Sequence, residues 1–542
     1  MKEFCIILPA VKKNVAFPDD LIKKLNGITL LQRALDKAAS IAELQDVYVV
    51  TDSEEITLIS TRYGVNVVYN KYLRLTLDDV LKVLKFFLVR VAKKYENVIL
   101  LWAYTPLVTK AIVLKAYEEL LLNKERDVLI TVKEELHRVF SPTDNGLKSI
   151  MLDDSCKKVF TAVKSFSIFK SELLIKNNED KLNIHPFLLD NDIVEIKSYQ
   201  DWWICSRLLK RKKILFRVIG SDDVGMGHIY RSLTLAHEIS DHEIRFITDT
   251  ENSIAVYKIA GNDYLIEAVE KRDMVDKILS IRPHLVINDI LDTEKEYVLR
   301  LKDAGIKIVN FEDVGSGAAL SDITFNELYE TSVITDGNIK WGRGFYFLRD
   351  EFDNAKPHRF KKDVTGILVT FGGTDPINLT TAILLTILDF CKEMGIMIYI
   401  VAGPGYLFKD ELSRIIAALD YDKVFFTFAT GVISSIMEKT QIAISSNGRT
   451  VYELAHMNIT GIIISQNDRE TRHPFANEAN GFIPVGIYEN GVTERVVLQR
   501  LKDLVLDVKY RQRLFYRVRL SNFSKNKKKV LKMILNLIED YE

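Results

Sequence analysis

Apolar and polar positions follow two spacings that alternate along the chain. Short apolar runs predict buried strands, and stretches whose apolar residues recur every three or four positions predict amphipathic helices. This alternation is typical of α/β folds with parallel sheets. In the first 210 residues we predict strands at 3–9, 46–51, 97–102 and 127–132, and helices at 30–40, 53–63, 77–94, 110–122 and 199–209.

The pattern also predicts where the chain divides. A basic run at 210–213 follows the helix at 199–209, and a new strand begins directly after it. A chain of 542 residues is too long for one ordinary core. We therefore predict a first domain at 1–210, two further α/β lobes at 211–363 and 364–490, and Lys/Arg-rich helices at 491–542 that pack back on the lobes.

Composition narrows the class of protein. Lys plus Arg and Asp plus Glu both total 74, so a general polyanion binder is not expected and we predict no nucleic-acid partner. No apolar run approaches the ~20 residues that span a bilayer, and the first residues lack a secretion-signal pattern. We expect a cytoplasmic protein. The cysteines have no metal-ligand spacing, and most are expected to be reduced packing residues: Cys5, Cys156, Cys205 and Cys391.

The strongest candidate chemistry follows the strand predicted at 213–219. Gly225 and Gly227 allow close backbone approach, and the helix that begins there offers free N–H groups and a positive dipole end. Such a corner suits a phosphate or a sugar hydroxyl. It also holds His228, a side chain that titrates near neutral pH.

The string Gly-x-Gly-His-x-x-Arg-x-Leu-x-Leu-Ala at 225–236 resembles the start of the hydrolases of pseudaminic acid biosynthesis that cleave UDP-2,4-diacetamido-2,4,6-trideoxy-β-L-altropyranose. Segments at 286–289, 310–313, 342–352, 370–375 and 444–454 resemble the same family in the same order, so the resemblance spans roughly 212–490. It implies a two-lobed, GT-B-like module of twin Rossmann folds. Many nucleotide-sugar glycosyltransferases share that architecture.

The resemblance also implies roles for residues at the mouth of the cleft. His228 would orient or deprotonate the water that attacks the anomeric carbon, an assistance worth ~10²–10⁴ in rate. Asp289 would hold a sugar group or orient His228, and Arg231 would face the same cleft. Loops of the second lobe would hold the diphosphate without a metal, with Pro376 at the first position of a helix.

Glu453 would accept hydrogen bonds from the ribose hydroxyls, and His473 is a weaker candidate for ligand contact. We expect no cofactor and no metal. The predicted substrate-binding residues are Gly225, Gly227, Arg231, Asp289, Gly372, Gly373, Ser445, Ser446, Asn447, Gly448, Arg449, Thr450 and Glu453.

The first 208 residues resemble the CMP-sialic acid synthetases, which are cytidylyltransferases. The resemblance is carried by Ile-Ile-Leu-Pro-Ala at 6–10, Gly-Ile-Thr-Leu-Leu at 27–31, Thr-Asp-Ser at 51–53 and Leu-Leu-Trp-Ala-Tyr-Thr-Pro-Leu at 100–107. It implies a Rossmann-like nucleotidyltransferase domain with a cytidine nucleotide as a partner, and it points to a homodimer.

The sequence departs from this second family at the positions that bind the triphosphate and the metal. Attack of a sugar on CTP, with pyrophosphate as the leaving group, needs cations around the triphosphate and an acidic Mg²⁺ site. Val11, Val15 and Asp20 replace cations of the loop, Trp102 replaces a glutamine, and Lys197 stands at a metal-ligand position. Shifted lysines are the available substitutes, at Lys12, Lys13, Lys23 and Lys24.

Several functions therefore remain open from the sequence. The leading one is a UDP-sugar hydrolase of nonulosonic acid synthesis, for surface or flagellar glycans, joined to a domain that has lost cytidylyl transfer. The alternatives are a glycosyltransferase that uses the same UDP-sugar, a bifunctional enzyme with an active cytidylyltransferase, and a non-enzymatic binding module.

Overall fold

The computed structural model describes residues 2–12, 19–72, 94–123, 125–135, 140–143, 146–149, 159–172, 183–221 and 225–539. The chain forms two compact units, Met1–Arg211 and Lys212–Glu542. Within the described ranges every helix is too short or too polar to cross a bilayer.

The first unit is built on a mixed sheet. Its described strands are β1 (Lys2–Ala10), β2 (Lys24–Leu25), β3 (Ile28–Thr29), β4 (Val47–Thr51), β5 (Asn66–Tyr69), β6 (Tyr95–Leu101), β7 (Val128–Glu135), β8 (Phe140–Thr143), β9 (Gly146–Ser149), β10 (Val159–Lys170) and β11 (Ile184–Leu188). The main sheet has the order β11-β7-β10-β6-β1-β4-β5. Strand β10 runs antiparallel to both of its neighbours, so this sheet is mixed, whereas the alternation of strands and helices favours parallel pairing.

The helices of this unit begin at side-chain caps. They are α1 (Leu30–Ile41), α2 (Glu54–Tyr63), α3 (Lys110–Leu122) and α4 (Tyr199–Lys210). Hydroxyls of Thr29, Ser53, Thr109 and Ser198 accept from backbone N–H groups of the first turns, which satisfies donors that a helix leaves free. These elements confirm the predicted ones, and the helix predicted at 77–94 lies almost entirely outside the described residues.

The second unit contains two parallel sheets. The first lobe has the strand order β14-β13-β12-β15-β16-β17-β18, and the second has β21-β20-β19-β22-β23-β24. The first lobe comprises β12 (Lys213–Val218), α5 (Gly227–Glu238), β13 (Glu243–Asp249), α6 (Ser253–Ala260), β14 (Ile266–Val269), α7 (Met274–Ile281), β15 (Leu285–Asp289), α8 (Lys295–Asp303), β16 (Lys307–Phe311), β17 (Ile323–Asn326) and β18 (Ile339–Trp341).

The second lobe comprises β19 (Gly366–Thr370), α9 (Leu379–Met394), β20 (Met397–Ala402), α10 (Lys409–Ala417), β21 (Val424–Phe428), α11 (Ser434–Met437), β22 (Ile442–Ser446), α12 (Thr450–His456), β23 (Thr460–Ser465), α13 (Asp468–Thr471) and β24 (Phe482–Ile487). The central strands of both sheets are mostly apolar and buried, as is typical of parallel strands covered on two faces. The predicted α/β class, with a nucleotidyltransferase-like sheet and a twin Rossmann, GT-B-like module, is confirmed.

The chain ends in helices that return to the two lobes. They are α14 (Thr493–Leu506), α15 (Val508–Val518) and α16 (Asn526–Leu535). Val518 enters the core of the second lobe, and Val530 and Ile534 enter that of the first. The expected packing of these helices is confirmed. Cys5, Cys205 and Cys391 are buried free thiols, and Cys156 lies outside the described residues.

Candidate functional site

A cavity of about 710 Å³ opens in the second unit beyond the carboxyl ends of strands of both lobes. Open parallel sheets bind their ligands at this edge. Loops of both lobes line it, and most of the predicted site residues are among them: Gly225, Gly227, His228, Gly372, Gly373, Ser446, Gly448, Arg449, Thr450, Glu453 and His473.

His228 lies where the first strand of the first lobe passes into its helix. The chain turns through Gly225, whose φ of 83° favours glycine, and His228 is the second residue of α5. Its Nδ1 atom lies 2.5 Å from Oδ1 of Asp289. Because a carboxylate only accepts hydrogen bonds, we assign the proton to Nδ1. Nε2 is then the nitrogen left for the cavity.

Asp289 and Arg231 lie beneath this histidine. Arg231 Nε is 2.8 Å from Asp289 Oδ2, and its Nη2 contacts Oδ1 of the same carboxylate. Burial opposes ionisation of Asp289, but the charges of Arg231 and His228 outweigh it and hold its pKa below the ordinary value. Both side chains are fully buried and neither lines the cavity. The expected contact of Arg231 with substrate does not fit this placement, whereas the orienting role considered for Asp289 does.

Two glutamates that the sequence did not single out complete the cluster. Glu312 directly follows β16, with an unusual φ of 53°, and its Oε2 lies 2.8 Å from Arg231 Nη2 and 4.0 Å from His228 Nδ1. Glu327 directly follows β17 and accepts from Arg231 Nη1 at 2.5 Å. Burial alone would raise the pKa of Glu312, yet Arg231 and His228 hold it far below its usual range.

His228, Asp289 and Glu312 also have ligand atoms within 4.8 Å of one another, the spacing of a metal site. The donor set is already occupied by a cation, because Arg231 Nη2 contacts both carboxylates. A divalent ion would have to displace a buried guanidinium that Glu327 holds as well.

The glycine loop after β19 meets the first lobe closely. A β-carbon at Gly373 would lie 3.0 Å from Met226 N, so a side chain there would crowd the backbone of the first lobe. The helix after the loop differs from the prediction. It begins at Leu379, so Pro376 is not its first residue. The Asp375 carboxylate accepts from the N–H groups of Leu379 and Thr380 at 2.9 and 2.8 Å, and that helix end is therefore not free for phosphate.

The loop at 445–450 contributes only part of its predicted set. Ser446, Gly448, Arg449 and Thr450 line the cavity, whereas Ser445 is fully buried in β22. Asn447 is turned away, and its Nδ2 donates to the carbonyls of Glu470 and His473 at 2.8 and 3.0 Å. Asn447 therefore braces the loop from behind, and contact of Ser445 or Asn447 side chains with substrate does not fit this placement.

Arg449 faces the cavity but is already held at two points. Its Nη1 donates to Glu327 Oε1 at 2.5 Å, and its guanidinium stacks 4.7 Å from the ring centre of Tyr346. Glu327 belongs to the first lobe and Arg449 to the second. The contact therefore joins the lobes beside the cluster of charged residues around His228.

Glu453 lies at the same wall with an arginine that the sequence did not reveal. Its Oε1 accepts from Arg349 Nε at 2.8 Å, and Arg349 also contacts Glu351 at 2.9 Å and covers the ring of Tyr230. Burial would lower the pKa of Arg349, but Glu453 and Glu351 raise it above the ordinary value. The carboxylate predicted to meet ribose is thus oriented by a permanent cation.

His473 lines the cavity and is held by the loop at 445–450. Its Nδ1 lies 2.8 Å from the carbonyl oxygen of Asn447 and donates to it. Burial is the main reason that its pKa is lowered. Nε2 is buried and has no hydrogen-bond partner within the described residues, so it presents an acceptor.

In the first unit the departures from cytidylyltransferase chemistry have structural partners. Lys12 Nζ lies 2.8 Å from Glu55 and 3.6 Å from Asp19, and Lys197 Nζ lies 3.1 Å from Glu195 Oε2. Trp102 is stacked against another aromatic ring, and Asp20 is buried. Val15 and Lys13 lie outside the described residues.

A family model described as Cytidylyltransferase matches residues 6–209. This segment is therefore similar to cytidylyltransferase domains. It precedes the GT-B-like module of the second unit.

Individual proteins resemble parts of the chain. It is 28% identical over 274 residues to the uncharacterized protein MJ1062 of Methanocaldococcus jannaschii, covering 47% of this chain and 56% of that protein. It is 28% identical over 186 residues to the UDP-2,4-diacetamido-2,4,6-trideoxy-beta-L-altropyranose hydrolase of Campylobacter jejuni, covering 32% of this chain and 64% of that protein. The chain thus matches less than two thirds of the length of either relative.

Solved structures also align with part of the chain. MurG of Acinetobacter baumannii aligns with 60% of this chain and 99% of its own, at 12% identity and a TM-score of 0.42.

Proposed function

We propose that the second unit hydrolyses a UDP-diacetamido-trideoxy sugar to UDP and free sugar in the biosynthesis of a nonulosonic acid. The observation that carries the proposal is the His228–Asp289 pair, 2.5 Å apart, at the wall of a cavity shared by two Rossmann-like lobes. The Campylobacter jejuni hydrolase, which is 28% identical over 186 residues, supports this class of substrate.

The geometry suits a direct attack by water. Nε2 of His228 accepts a proton from water as the water oxygen bonds to the anomeric carbon. The bond from that carbon to the diphosphate oxygen breaks, and UDP leaves with the electron pair. The loop at 446–450 and Glu453, on the facing lobe, would hold the diphosphate and the ribose.

The charges around His228 favour its role as a base. Three carboxylates, of Asp289, Glu312 and Glu327, surround two guanidiniums, of Arg231 and Arg449. The cluster therefore has a net charge of −1 with a neutral imidazole and becomes neutral when the ring takes a proton. Fixed charges that stabilise the developing cation lower the barrier because they need no reorganisation.

For the first unit we propose a retained fold without cytidylyl transfer. The ammonium group of Lys12, which would have to neutralise a triphosphate, is paired with Glu55. Lys197 adds a cation where Mg²⁺ would bind, and Glu195 is committed to it. A weakly bound cytidine nucleotide remains compatible with this arrangement, since base and ribose contacts do not need those groups.

The decisive experiment is incubation of the full chain with a panel of UDP-diacetamido-trideoxy sugars, with release of UDP and free sugar followed by NMR. We expect one or more of them to be cleaved, and cleavage by His228→Ala to be slower by on the order of 10²-fold or more. A parallel reaction with sugar or lipid acceptors tests the alternative function. A glycoside product in place of free sugar would make the module a glycosyltransferase.

A further inference from the structure

We propose that Glu327 is a positioning residue that couples the nucleotide side of the cavity to His228. The proposal rests on the proposed function. Glu327 is fully buried, and its Oε1 accepts from Nη1 of Arg231 and from Nη1 of Arg449, both at 2.5 Å. A single oxygen thus holds two guanidiniums that come from different lobes.

Each arginine leads to one half of the proposed reaction. Arg231 forms an ion pair with Asp289, and Oδ1 of Asp289 lies within hydrogen-bond distance of His228 Nδ1. Arg449 faces the cavity from the loop proposed to hold the diphosphate. Ion pairs therefore connect Arg449 to Glu327, Arg231 and Asp289 without a break, and a hydrogen bond connects Asp289 to His228.

The carboxylate of Glu327 contacts few groups besides these two arginines. Its Oε2 is buried and has no hydrogen-bond partner in the part of the chain that the structure describes. Removal of one member of a buried charge cluster leaves the others without compensation. Neutralising Glu327 should therefore change the electrostatics at both ends while it preserves the shape of the side chain.

Neutralisation of Glu327 should affect His228 and Arg449 in different ways. His228 faces Asp289, Glu312 and Arg231, and Arg449 and His473 lie behind them. Loss of the Glu327 anion makes the imidazolium less favourable, so the acidic limb of the pH–rate profile should move to lower pH. Arg449 loses its counter-charge, so an anionic diphosphate should bind more tightly.

The test compares Glu327→Gln with Glu330→Gln in the full chain. Glu330 lies three residues away and forms an exposed 3.7 Å ion pair with Arg343, so it controls for the charge change. For Glu327→Gln we expect kcat to fall roughly tenfold, the acidic limb to move to lower pH, and UDP to bind several-fold more tightly by calorimetry. Glu330→Gln should behave like the wild type.

A second variant protects the test against misfolding. Arg449→Gln removes a cation from the same series, so its acidic limb should move to higher pH, opposite to that of Glu327→Gln. Limbs that stay at the wild-type pH in both variants would overturn the coupling. So would a Glu327→Gln protein in which kcat, UDP affinity and melting temperature all fall together, because that pattern means a structural role only.

The two proposals fail in different ways. If the wild type cleaves no UDP-sugar, hydrolysis is refuted, and the UDP affinity of Glu327→Gln still reports on the link to Arg449. If the wild type is active and Glu327→Gln matches it in rate and pH profile, only the positioning role of Glu327 is refuted.

Discussion

Asp289→Asn should separate orientation of His228 from binding of the nucleotide. The substitution keeps the size of the side chain but replaces one acceptor oxygen by an N–H₂ group, which must then face a donor of Arg231 or of His228. A hydrogen bond to a charged group contributes about 1.5–3 kcal/mol. Its loss in the transition state corresponds to roughly a 10- to 150-fold lower rate. The imidazolium also loses its nearest counter-charge, so we expect kcat to fall by about 10²-fold.

Stability should fall as well, but by a limited amount. Removing one partner of a buried ion pair costs about 3–5 kcal/mol. Arg231 keeps Glu312 and Glu327, so we expect the lower end, about 3 kcal/mol of the free energy of unfolding. The assay is steady-state release of UDP, with calorimetry of UDP binding and urea denaturation on the same preparation.

The matched control is Asp276→Asn, an exposed aspartate paired with Arg300 at 2.7 Å. It should change neither kcat nor UDP affinity. A folded Asp289→Asn enzyme with nearly wild-type kcat would refute the orienting role. A fall in kcat matched by an equal loss of UDP affinity would mean that the cavity itself had changed.

Three further outcomes are expected. His228→Ala should lower kcat by on the order of 10²-fold or more while UDP affinity, measured by calorimetry, stays close to that of the wild type; near-normal turnover would remove His228 from the mechanism. Hydrolysis should survive EDTA, because Arg231 fills the carboxylate cluster; activity that is lost with chelator and restored by Mg²⁺ would contradict this. The full chain should form no CMP-nonulosonate from CTP, Mg²⁺ and sialic, legionaminic or pseudaminic acid, and release of pyrophosphate with such a product would show that Lys12 or a neighbouring lysine supplies the missing charge.

His228 and Asp289 could be singled out from the sequence because a local pattern accompanies each of them. His228 follows the glycine-rich turn after β12, and Asp289 ends β15. Parallel strands bring such positions to one edge of a sheet. Glu312 and Glu327 occupy equivalent positions after β16 and β17. Glu312 lies within the segment at 310–313 that resembles the hydrolase family, but the sequence assigns no role to it or to Glu327, and only the pairing of β15, β16 and β17 places them beside Arg231.

Some expectations differ from the structure for local physical reasons. Arg231 was expected in the cleft because it lies three residues after His228 on one helix face, but helical spacing does not separate a cavity from a buried ion cluster. Pro376 suits the start of a helix, yet the Asp375 carboxylate caps a helix that begins later, at Leu379. Strand β10 runs antiparallel to its neighbours. An apolar run predicts that a strand is buried but does not predict its direction relative to the neighbouring strands.

The glycine contact between the lobes has a consequence for how the cavity keeps its width. A β-carbon at Gly403 would lie 2.5 Å from the Cα of Gly373, and one at Gly373 would lie 3.2 Å from the Cα of Gly225. At this point the spacing is determined by three stacked main chains, with no rotamer to adjust it. A single methyl group introduced at Gly373 or Gly403 would act as a rigid spacer. It would change the distance between the two lobes at the cavity, and a ligand held by both lobes would have to span that distance.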